Sequence, residues 1–114
     1  MAFVLKKSNT FKWPITVEMS VDGGTWERMT FDLEYKDLTQ SRLKEIAELS
    51  DQNTLSEIDV AKEMVVGWAG VVDEEGNEVP FSIAGLNEML EFPMLAAQVV
   101  STYIEAKQGA KRKN

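Results

Sequence analysis

The chain contains neither cysteine nor histidine. Without cysteine there is no disulfide framework, no thiolate zinc site and no thiol nucleophile. Without histidine it lacks the commonest general base and the commonest transition-metal ligand. Long apolar runs are missing too: the stretches at 64–66 and 95–100 fall far short of the roughly 20 residues that span a bilayer. The first residues, Met-Ala-Phe-Val-Leu-Lys-Lys, set apolar side chains before positive ones, the reverse of a signal peptide. The sequence therefore reads as a soluble cytoplasmic protein with no membrane partner. Carboxylates, lysine, tyrosine and serine are all that remain for chemistry, which points to binding rather than catalysis.

What is present is enough for one core. With 114 residues, 44% of them hydrophobic, the chain has the size of a single domain. All 19 acidic residues lie between Glu18 and Glu105, among only five basic ones, which leaves that stretch at −14 and the two ends at +7. An acidic body repels phosphate backbones, so nucleic acid is excluded as the main partner. Basic ends on an acidic body suit contact between copies of the same chain, although a solubilising tail has the same composition.

Hydrophobic periodicity organises the chain. Ile15, Val17, Met19 and Val21 alternate with polar residues, as do Met29, Phe31, Leu33 and Tyr35, and Asp22-Gly23-Gly24 between them signals a turn. This predicts a β-hairpin, whose apolar face needs cover. Helical spacing then predicts helices over 40–49, capped by Thr39, and over 54–66, ended by Gly67-Trp68-Ala69-Gly70. A charged turn at 73–77 lies between extended pieces that suit a short second hairpin or paired loop. A third helix follows, capped by Ser82 and running to Leu90, and a fourth carries Pro93 in its first turn and ends near Gly109. The expectation is an α+β fold, an N-terminal β-hairpin followed by about four helices and mainly helical. An arm at 1–10, one hairpin-plus-helices domain at 11–106 and a flexible basic tail at 107–114 complete the layout.

Few residues suggest a reaction. Ser41-Arg42-Leu43-Lys44 matches the Ser-x-x-Lys spacing of serine enzymes, but the companion motifs and a large body are missing, and Lys44 is placed to pair with Glu48 on a solvated helix. The acids Asp73, Glu74, Glu75 and Glu78 fail the EF-hand spacing and read as a surface turn. Asp59 and Glu63 share a helical face without a second ligand pair, so no metal, cofactor or catalytic residue is expected. The aromatics say more. Trp13, Trp26, Trp68, Phe81 and Phe92 sit at element edges or in Gly/Pro-rich joints, positions that suit core packing and interfaces alike. Trp26 falls on the hairpin face opposite Met29 and Phe31. Trp26, Trp68, Phe81 and Phe92 are the candidate partner-binding residues.

The stretch from Gly67-Trp68-Ala69-Gly70-Val71-Val72 through the acidic turn to Val79-Pro80-Phe81-Ser82, with Leu86, Leu90 and the helix after Pro93, resembles the tail assembly chaperones of long-tailed phages. The resemblance is clearest over 60–105. It implies a non-catalytic, cytoplasmic assembly factor that self-associates, binds the tape measure protein, keeps its helices soluble, recruits the tail tube protein and is absent from the finished virion. It also implies a longer frameshifted product in many members. Trp68, Pro80 and Phe81 match the motif and would anchor its joint. Two other readings stand beside it: a structural tail completion or connector protein of the virion, and a small carboxylate enzyme.

Overall fold

The computed structural model describes residues 2–3, 5 and 9–109; the remaining positions of the basic tail and of the N-terminal arm lie outside the described residues. The hairpin is the largest element. Strands β1 (Thr10–Val21) and β2 (Thr25–Lys36) pair antiparallel along their whole length, from Thr10 opposite Lys36 to Val21 opposite Thr25. The reversal needs positive φ at Gly23 (90°) and Gly24 (78°), which glycine adopts without a Cβ penalty. On the outer face the ladder carries cross-strand pairs, Thr16 with Thr30 at 3.0 Å and Arg28 with Glu18 at 2.9 Å. On the inner face Ile15, Val17, Leu33 and Tyr35 are buried.

Helix α1 (Gln40–Asp51) starts at Thr39, whose hydroxyl accepts from the Arg42 N–H. Helix α2 (Glu57–Met64) begins with a capping box: the Asp59 N–H donates to Ser56 Oγ, and the Ser56 N–H donates to Asp59 Oδ2. Helix α3 (Ile83–Leu90) is capped by Ser82, and α4 (Leu95–Gln108) ends at Gly109, φ 80°. The expected residues thus cap α1 and α3 and close α4. Pro93 instead lies two residues ahead of α4, in a corner where Met94 takes a left-handed conformation.

One expectation is overturned. The chain is not mainly helical: 40% of the described residues are helix and 30% strand, in a three-stranded antiparallel sheet and four helices. The second helix stops at Met64, and residues Val65–Ala69 form strand β3 instead of a last helical turn and a break. Val65 and Val66 continue the apolar stripe of α2, but both are β-branched and lose little in a strand. β3 pairs with the far half of β2, Tyr35 opposite Val65 and Leu33 opposite Trp68, with a bulge that leaves Val66 over and 42% exposed. Beyond it, the bridge between Val72 and Glu78 forms the paired loop anticipated around the acidic turn.

The core lies between the inner face of the sheet and the helices. Its hub is aromatic. Tyr35 and Tyr103 meet edge to face at 5.2 Å, and Phe11 stacks on Tyr35 at 5.5 Å. Both phenols are buried and hydrogen-bonded: Tyr35 Oη donates to the Val99 carbonyl at 2.8 Å, and Tyr103 Oη accepts from the Leu38 N–H at 2.9 Å. Lys107, in the last turn of α4, closes the hub from outside, 2.6 Å from Asp37 and 4.5 Å above the Phe11 ring.

β3 is short, so it pairs with only about a third of β2, from Asp32 to Tyr35. The rest of the hairpin, toward the Gly23-Gly24 turn, is a two-stranded ribbon with much of its surface in solvent.

Candidate functional site: two aromatic pairs

The four candidate residues fall into two pairs. Trp68 and Phe81 form the first, edge to face with centroids 5.0 Å apart. Trp68 shares a row of the inner face with Leu33, and its indole Nε1–H donates to the Val79 carbonyl at 2.8 Å. Gly85, in the first turn of α3, leaves room for the ring: a Cβ there would stand 3.2 Å from Trp68 Cη2. The joint therefore locks β3, the loop at 70–82 and α3 to one another. Its indole is satisfied and half-buried, which makes it an anchor of the fold.

Trp26 and Phe92, the second pair, are not in ring contact but line one groove, and the fold leaves both outside. Trp26, opposite Ser20 near the hairpin tip, is 68% exposed, Phe92 is 51% exposed, and Met94 beside it is 71% exposed. Together with Glu18, Met19, Ser20, Pro93 and Gln98 they line a groove of about 690 Å³. Met19 and Trp26 belong to opposite faces of the hairpin, so the groove wraps the free edge of β1. The corner from Phe92 to Met94 also forms one wall of a second groove of about 350 Å³ that passes Ile58 and Ala97. Met94 holds φ 70° with no side-chain cap on the helix it starts. A non-glycine residue in that region is strained, and the reversal it makes lies at the corner where Phe92 and Met94 are exposed.

Met94, Met19 and Gln98 were not singled out by sequence. The available signal was Met94 itself, an apolar residue at a proline corner, and it was obscured by placing Pro93 inside the helix. Trp13 is 39% exposed, in the same row as Leu33.

The residues considered for chemistry are engaged elsewhere or scattered. Arg42 grips Glu63 through two hydrogen bonds of 2.7 Å and reaches Glu45 at 2.8 Å, tying α1 to α2. That hydrogen bonding holds the Glu63 carboxyl below the usual glutamate range. Asp59 is held low by its bonds from Ser56, the backbone N–H first. Asp73 Oδ1 accepts from the Glu75 and Asn77 N–H groups and shapes the acidic turn. Ser41 and Lys44 lie exposed on α1. Among the described residues, no group of three or more acids is placed to hold a metal ion, and no helix is long and apolar enough to cross a membrane.

The structure thus holds an internally locked joint at Trp68 and Phe81 and an apolar, open corner from Phe92 to Met94. The family model of the phage tail assembly chaperones matches residues 1–114, and the chain belongs to that family. No curated protein and no solved structure matches it.

Proposed function

We propose that this tail assembly chaperone works without catalysis in the host cytoplasm of a long-tailed phage. It self-associates, binds the tape measure protein so that its helices stay soluble, and recruits tail tube subunits. The observation that carries this reading is the groove bounded by Trp26, Phe92 and Met94, an apolar surface on an otherwise acidic body. Aromatic and methionine side chains suit adaptable apolar contacts, while the net charge of −7 opposes non-specific clumping.

Co-expression tests the central step. The cognate tape measure protein should move from the pellet to the soluble fraction and co-purify with the chaperone. A tape measure protein that stays insoluble at matched expression would refute the reading. Mass spectrometry of purified particles addresses the rest, because an assembly factor should be missing from finished virions. Detection at stoichiometric levels would favour a structural tail component.

A further inference from the structure

We propose that the groove beside Trp26 receives the N-terminal arm of a second copy, through Phe3 and Leu5, so that copies join head to tail. This rests on the self-association reading and specifies its contact.

Phe3 and Leu5 are 88% and 84% exposed, the most exposed of the large apolar side chains among the described residues. Their i, i+2 spacing puts both on one face of an extended segment. The groove suits such a segment, because it runs along the free edge of β1. Alternation by two directs the N–H groups of even-numbered β1 residues to that edge. The Glu18 N–H shows this parity by donating to Gln98 Oε1. Ser20 presents its N–H to the same edge inside the groove, where an extended peptide can pair with it.

Charge agrees. Lys6 and Lys7 follow Leu5, and the chain has no acid before Glu18. Around the groove stand Glu27, opposite Met19, and Glu91, next to Phe92. Arg28, the nearby cation, is held by Glu18 at 2.9 Å. The arm cannot serve its own groove. Leu5 lies five residues ahead of Thr10 and reaches at most about 18 Å. Ser20 lies ten residues along β1 in the other direction, about 33 Å away. An arm bound in a neighbour's groove makes a heterologous contact, which grows into an open helix or a ring.

The test uses two full-length variants altered only at exposed positions, Phe3→Asp with Leu5→Asp in one and Trp26→Ser in the other. Sedimentation velocity should find the wild type assembling with concentration. Each variant alone should need at least about tenfold higher concentration to assemble, a loss of one decade in affinity. A one-to-one mixture should form dimers and stop there, since only one intact arm meets one intact groove. Circular dichroism and melting should match the wild type. As a second measurement, the absence of native cysteine lets Leu5→Cys on one copy be oxidised against Trp26→Cys on another, and a heterodimer should form at high yield.

The outcomes separate. A wild type that remains monomeric removes self-association itself. Wild-type-like assembly by the arm variant overturns the arm contact and leaves self-association standing. Should Trp26→Ser abolish tape measure solubilisation while the arm variant assembles normally, the groove serves the partner helix and the proposal falls.

Discussion

Trp68 with Phe81, in ring contact, and Trp26 with Phe92, lining one groove, have the same composition, and the fold treats them in opposite ways. The first is half-buried against Gly85, with its indole N–H bonded to the Val79 carbonyl. The second stands open at a strained corner, beside a hairpin half that no third strand covers. The difference comes from the reach of β3. Its five residues pair with β2 only from Asp32 to Tyr35, so the joint lies where the sheet is three strands wide and the corner where it is two. Covered aromatics hold a fold together; uncovered ones leave apolar surface in solvent.

Substitutions can break this contrast, and the largest effect should come from the covered pair. Trp68→Ala removes the indole from Phe81 and Gly85 and leaves the Val79 carbonyl without that donor, and should cost about 3 kcal/mol in urea unfolding. Tyr103→Phe comes next, at about 2 kcal/mol, because the buried Leu38 N–H loses its acceptor. The same hub sets an alkaline limit. Burial raises the phenol pKa of Tyr35 and of Tyr103, whereas the unfolded phenols ionise near 10. The stabilisation is therefore complete below about pH 10 and is lost as pH rises above it, so the melting temperature should fall there.

Gly85→Ala should cost about 1 kcal/mol by pushing a methyl group against Trp68, and Trp68→Phe in the same background should recover part of it. The open pair should behave differently. Met94→Gly relieves the left-handed backbone and should raise stability by up to about 1 kcal/mol. Trp26→Ala should change stability by less than about 0.5 kcal/mol. A large loss at Trp26 in a monomeric preparation would erase the distinction between the pairs.

The same contrast marks how far the sequence could be read. The hairpin was legible because Ile15, Val17, Leu33 and Tyr35 keep strict alternation around two glycines, a signal contained within 27 residues. Ser82 and Gly109 announced the start of α3 and the end of α4 by local capping chemistry. β3 was not legible. Its valines extend the helical stripe of α2, and its partner lies about 30 residues earlier in the chain, so pairing decided what periodicity could not. The four site aromatics were all visible as edge residues. Which of them would be covered depended on that same long-range pairing. Met94 went unnoticed because its exposure comes from a backbone angle, which residue type does not report.

The free edge of β1 carries one more consequence. Among the described residues no strand flanks β1 on its outer side, and a twelve-residue strand open in this way is a template on which other extended chains can stack without limit. Pro14 has the edge-facing parity of Glu18 and has no N–H to offer, and Gln98 occupies the N–H of Glu18 itself. Strand-by-strand growth is thereby interrupted at two points along the edge. Edge-on stacking of further strands is thus limited by the sequence and packing of the edge itself.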